Sequence, residues 1–165
     1  MLRIQNLTKI YPGGKKAVDN LSLDIEEGSF VAFIGTSGSG KTTALRMINR
    51  MIEATSGKIL IGDQDVRKMN PVELRRSIGY VIQQIGLMPH MTIKENIVLV
   101  PKLLKWSEEK KTQKAKELIK LVDLPESYLD QYPAQLSGGQ QQRIGVIRAL
   151  ACLLYTSDAA DERSS

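Results

Sequence analysis

The octapeptide Gly35-Thr-Ser-Gly-Ser-Gly-Lys-Thr42 constrains this chain more than any other stretch, because its flanks are those that a phosphate-binding turn requires. Before it stands an uninterrupted apolar run, Phe30-Val-Ala-Phe-Ile34, suited to a parallel strand buried on both faces. After it Ala44, Leu45, Ile48, Met51 and Ile52 recur at helical spacing. The reading is strand, loop, helix. Glycines let backbone N–H groups turn inward, and the helix end adds positive potential. Lys41 is placed to reach outer phosphates, and the Thr42 hydroxyl suits Mg²⁺. Gly35, Thr36, Ser37, Gly38, Ser39, Gly40, Lys41, Thr42 and the following Thr43 are therefore the candidate nucleotide-binding residues, with Thr42 as a metal ligand.

A second glycine-rich stretch, Leu136-Ser-Gly-Gly-Gln140, also opens a helix. Ser137 and Gln140 stand in the relation of a capping box, and Ile144, Ile147, Leu150 and Ala151 then share one helical face. A plain helix start accounts for Ser137 and Gln140. It gives no reason for two glycines in the first turn, where each costs roughly 1 kcal/mol against alanine. Close approach to a phosphate gives one. One nucleotide needs only one such helix end, so the spare one points to a second copy of the chain with nucleotide held between the two.

Leu136 to Arg143, LSGGQQQR, resembles the signature motif of ATP-binding cassette proteins and follows a phosphate loop as it does in that family. The likeness runs from Met1 to about Ala151. It implies an α/β fold: a P-loop NTPase (RecA-like) core, residues 1–87 and 134–151, with an inserted α-helical subdomain over 88–133, incomplete at the C-terminus. It implies ATP and Mg²⁺ as cofactors. Leu136, Ser137, Gly138, Gly139 and Gln140 would face ATP held by the partner of a homodimer. Ile78-Gly-Tyr-Val-Ile-Gln83 reads as a strand ending in glutamine, and Gln83, with Gln84 as a near rival, resembles the family residue that touches Mg²⁺ and attacking water. Lys41 and Gln83 are the catalytic candidates. Tyr11 resembles the adenine-stacking aromatic.

Composition fits an ordinary domain: 165 residues, 42% hydrophobic, 25% charged. No apolar stretch approaches the roughly eighteen residues of a membrane span. The start lacks a signal-peptide core, and the lone Cys152 excludes an internal disulfide framework. The net charge of +5 is local, concentrated in Lys102, Lys105, Lys110, Lys111, Lys114, Lys116 and Lys120 against Glu108, Glu109 and Glu117. This reads as a solvated helix face capped by Ser107, with Ala115, Leu118, Ile119 and Val122 buried. No aromatics alternate with the lysines to stack bases, and nucleic acid is not expected. Asn70-Pro71 and Thr92-Ile-Lys-Glu95 mark further helix starts. His90, the only histidine, reads as a loop residue.

Beyond Ala151 the likeness stops. No apolar run ending in Asp-Glu follows the signature helix, and Asp161-Glu162 lacks the strand that would place it. The family's catalytic glutamate and switch histidine are missing, so the chain as it stands is expected to hydrolyse poorly. Residues 152–165 resemble translated sequencing adapter and are expected to be a non-native tail.

The stretch from Tyr80 to Trp106 resembles ATP-binding subunits of osmoprotectant importers of glycine betaine, carnitine and choline. That likeness implies integral membrane permease partners, a separate solute-binding protein and a peripheral place on the cytoplasmic face of the plasma membrane. It leaves open whether C-terminal regulatory CBS domains follow. The alternative from another class is a soluble, non-transport cassette ATPase acting on nucleic acid or the ribosome. A small-molecule kinase would leave Leu136–Gln140 without a role.

Overall fold

A computed structural model describes residues 1–82 and 86–162, with side chains through Ala151. Gln83 and Gln84 lie outside the described residues. The chain divides between Arg75 and Arg76 into two compact units.

The first unit is built on a four-stranded antiparallel sheet. β1 (Leu2–Ile10) pairs with β2 (Lys16–Ile25) on one side and β3 (Ser56–Ile61) on the other, and the short β4 (Gln64–Asp65) extends β3. Ile4 and Leu7 are both buried although three positions apart, which strict alternation would forbid. A bulge between them, with Asn6 at φ 48°, resets the pleat. Against the sheet packs α1 (Lys41–Ile48), burying Ala44 and Met47. Then α2 (Pro71–Ser77) starts where Asn70 accepts from the N–H groups of Val72 and Glu73, as Asn70-Pro71 indicates.

Three expectations fail here, each because a non-local partner decides the outcome. Phe30–Ile34 is not a strand, and Phe30 and Ile34 are 94% and 96% exposed. A parallel strand needs hydrogen-bonding neighbours, and the one sheet among the described residues runs antiparallel throughout without this segment. Ile78–Ile82, the described part of the second expected strand, is likewise irregular, with Val81 and Ile82 exposed. The helix after Lys41 ends at Ile48 instead of reaching Ile52. Arg50 turns left-handed at φ 52° and donates to the carbonyls of Val66 and Met69, while Arg75 donates to the Asn49 and Arg50 carbonyls. Met51 is consequently half exposed.

The second unit is helical: α3 (Ile93–Ile97), α4 (Leu99–Leu103), α5 (Glu108–Lys120) and α6 (Gly138–Glu162). Ile93, Ile97, Ala115, Leu118, Ile119, Ile144, Ile147 and Ala151 form one buried cluster, flanked by Val122 and Leu150. The helix starts follow the sequence. Thr92 and Glu95 make the reciprocal capping box, and Ser107 accepts from the Lys110 N–H. His90 lies exposed in the turn before α3. The α5 lysines depart from a purely solvated face, because Lys111 is buried and ion-paired to Glu108.

Four carboxylates of this unit are held below the ordinary glutamate value of 4.5. The Thr92 N–H acts on Glu95, Lys111 on Glu108, Lys114 on Glu117, and Lys120 with Lys116 on Glu126. A carboxylate whose folded pKa is depressed stabilises the fold above its unfolded pKa and loses that contribution as pH falls through the folded value. Melting temperature followed by circular dichroism should therefore be flat above about pH 5.5 and fall below about pH 4.5. Glu126→Gln should shallow the fall. A fall already complete by pH 6 would contradict this account.

Candidate functional site

The loop before α1 has the geometry of an anion cradle. Gly40, the residue before the helix, sits at φ 93°, and a Cβ there would lie 2.1 Å from the Ala17 carbonyl oxygen of β2. Both facts exclude other residues. No side chain caps the helix and no acid stands in its first turn, which leaves its free N–H groups open to an outside acceptor. The Lys41 ammonium folds back over the loop and donates to the Gly35 carbonyl (2.8 Å), the Thr36 carbonyl (2.7 Å) and Ser39 Oγ (3.0 Å). Phosphate oxygens are acceptors of the same kind and can take over those donors.

Gly38, Ser39, Gly40, Lys41, Thr42 and Thr43 form one wall of a cavity of about 290 Å³. Tyr11 stands in the same cavity, so the structure brings together two features far apart in sequence. Gly35, Thr36 and Ser37 are on the loop but not among the cavity walls. Tyr11 follows β1, and the Lys9 ammonium lies 5.4 Å from its ring centroid. Thr42 is exposed at the helix start and offers one hydroxyl oxygen. No cluster of acidic or imidazole side chains able to hold a metal occurs among the described residues. The Thr42 hydroxyl is a ligand that a cation held mainly by water and phosphate oxygens could use.

The second glycine-rich stretch is placed by the helical unit. Leu136 is buried in its core, while Ser137, Gly138 and Gly139 are exposed. Ser137 N–H donates to Gln140 Oε1 (2.8 Å), and Gln140 N–H donates to Ser137 Oγ (3.3 Å), completing the expected capping box. A Cβ on Gly138 or Gly139 would meet nothing within 4 Å. Neither packing nor backbone conformation requires glycine there, yet both helix positions have it.

Two supporting residues escaped the sequence reading. Gln141 Nε2 donates to the Pro133 (2.9 Å) and Leu136 (3.1 Å) carbonyls and so fixes the turn that delivers Ser137. Arg143 donates to the Val122 carbonyl (2.8 Å) at the end of α5. Their helical phase, with Gln141 three residues before Ile144, was the one available signal.

An uncapped helix behind a glycine loop, its lysine folded over the loop carbonyls, defines the phosphate-binding class of nucleotide proteins. Residues 18–154 match the family model described as ABC transporter, and the chain belongs to that family. It is 72% identical over 151 residues to the carnitine transport ATP-binding protein OpuCA of Listeria monocytogenes serotype 1/2a, covering 92% of this chain and 38% of that protein. It is 63% identical to the glycine betaine/carnitine/choline transport ATP-binding protein OpuCA of Bacillus subtilis, covering 40% of it. It is 53% identical to the osmoprotectant import ATP-binding protein OsmV of Salmonella typhimurium, covering 41% of it. The chain thus spans about two fifths of the length of these curated relatives. Among solved structures, the dimeric ATP-binding cassette MJ0796 bound to ADP and Pi superposes with TM-score 0.81 at 38% identity, covering 92% of this chain and 70% of that one. The fold is that of an α/β P-loop NTPase.

Proposed function

We propose that the chain is part of the ATP-binding and ATP-hydrolysing subunit of an importer for quaternary-ammonium osmoprotectants. The observation that carries this reading is the pair Gly138 and Gly139. They are exposed at a capped helix start, with open space over them and no internal reason for lacking a side chain. They make sense as a surface that another molecule's nucleotide approaches. The homodimer follows from it: each chain offers its P-loop to one ATP and its Ser137–Gly139 edge to the other. The dimeric MJ0796 cassette supports that arrangement. Residues 1–87 and 134–151 then serve as the nucleotide core and 88–133 as the helical subdomain that meets the permease.

In this reading Tyr11 receives the base, and the loop N–H groups with Lys41 hold the phosphates. Thr42 and Gln83 would hold Mg²⁺, which when bound neutralises charge on the β- and γ-phosphates. The described residues lining the cavity carry ammonium, hydroxyl and backbone N–H groups, which bind and orient the nucleotide. Carnitine, glycine betaine or choline as cargo is supported by the names of the relatives, and a separate solute-binding protein would deliver it. No helix among the described residues is long and apolar enough to cross a membrane. A peripheral place on the cytoplasmic face is supported by the relatives being ATP-binding proteins of transport systems. A nucleic-acid role would need the α5 lysines free. Instead Lys114 pairs with Glu117 (2.9 Å), Lys116 and Lys120 share Glu126 (3.1 and 3.0 Å), and Lys110 lies over Trp106 (4.2 Å).

The double substitution Gly138→Ala with Gly139→Ala separates structure from function. Replacing two glycines of the helix's first turn should leave melting unchanged or raise stability by up to about 1 kcal/mol each. ATP-dependent association, measured by sedimentation velocity, should be lost. A variant that associates as the parent does would overturn the dimer reading. For the cargo, uptake of radiolabelled carnitine by cells carrying the subunit with its permease should vanish on Lys41→Ala. Uptake indifferent to that change would overturn the transport reading.

A further inference from the structure

We propose that Lys15 is a second cation of the nucleotide cavity, pairing with the phosphates of a nucleoside di- or triphosphate. This rests on the P-loop reading above and extends it to a residue outside the loop. Lys15 belongs to the turn between β1 and β2. Tyr11 N–H donates to the Lys15 carbonyl (2.9 Å), and Gly14 N–H donates to the Tyr11 carbonyl (3.0 Å). That closed turn presents Tyr11, Pro12 and Lys15 to the same cavity of about 290 Å³ that the P-loop lines.

The charges around the turn single Lys15 out. Lys9 is held by the Glu53 carbonyl (2.7 Å) and lies against the Tyr11 ring, and it is not a cavity wall. Lys16 pairs with Asp19 (3.0 Å). Lys41 is engaged with three loop oxygens. Lys15 is exposed, and it makes no ion pair among the described residues. Among the described residues the walls carry two lysines and no acid, which favours a multiply anionic ligand. An ammonium on a flexible stem at the cavity wall adds attraction that scales with ligand charge and weakens with salt. The turn is closed by the Lys15 backbone, so changing the side chain leaves its hydrogen bonds in place.

The test uses displacement of trinitrophenyl-ATP by ATP, ADP and adenosine from the parent chain, Lys15→Gln, Lys15→Glu and Lys41→Ala. At low salt, Lys15→Gln should raise the ATP Kd roughly threefold and Lys15→Glu roughly tenfold. Most of the difference should disappear at about 0.5 M salt. Adenosine should bind all Lys15 variants as it binds the parent, and circular dichroism melts should coincide. Unchanged ATP binding in Lys15→Glu, alongside weakened binding in Lys41→Ala, would overturn the role of Lys15 and leave the P-loop reading standing. An equal loss for adenosine would also overturn it, since the effect would then lie with the base. Should the parent fail to bind ATP, or Lys41→Ala bind it as tightly, the P-loop reading falls and Lys15 with it.

Discussion

Lys41→Ala is expected to raise the Kd for ATP by about a hundredfold, the largest binding effect of any single change in the chain. Two losses combine. The ammonium is the only cation on the loop itself, and a hydrogen bond from a charged donor to phosphate is worth about 1.5–3 kcal/mol. The same group also ties the Gly35 and Thr36 carbonyls to Ser39 Oγ, so its removal loosens the loop before any ligand arrives. Calorimetric titration with ATP checks the first loss, and amide exchange over residues 35–40 checks the second. An affinity within threefold of the parent would overturn the role of Lys41 and with it the P-loop reading.

Gly40→Ala is expected to cost the first unit about 3 kcal/mol or more, the largest stability effect. A left-handed φ is itself unfavourable for alanine, and the added carbon would stand 2.1 Å from the Ala17 oxygen. That oxygen belongs to the backbone of β2, and its retreat would disturb the pairing with β1. Urea unfolding gives the number. Gly138→Ala, which enters open space, is the control of opposite character. If both changes shift the midpoint alike, the close approach of loop and strand is not what selects glycine at position 40.

The sequence was most legible where structure is local. The capping boxes at Thr92 and Ser137, the cap at Ser107 and the start at Asn70 are written within four residues, and each forms as read. The P-loop turn and the helix behind it are local in the same sense. What the sequence hid depends on distant partners. Phe30–Ile34 has a strand's composition, but a strand is made by neighbours that sequence periodicity does not reveal. The end of α1 is decided by carbonyls of residues 66–69 that receive the Arg50 guanidinium. Gln141 and Arg143 look like surface residues of the signature helix until Pro133 and Val122 are found beside them. Lys111 reads as one lysine among many, yet its stem is buried where α5 packs. Tyr11 is marked in the sequence by family likeness alone, and the turn closed at Lys15 is what brings it to the cavity that the loop lines.

The bare run Phe30-Val-Ala-Phe-Ile34 has a consequence for handling the protein. It holds five apolar residues with no charge and no proline, and its outermost side chains stand in water. Segments of this composition zip together across copies into β-structure as concentration rises. Self-association seeded there is expected to limit the concentration the chain tolerates, and Val31→Lys should raise that limit in a light-scattering titration.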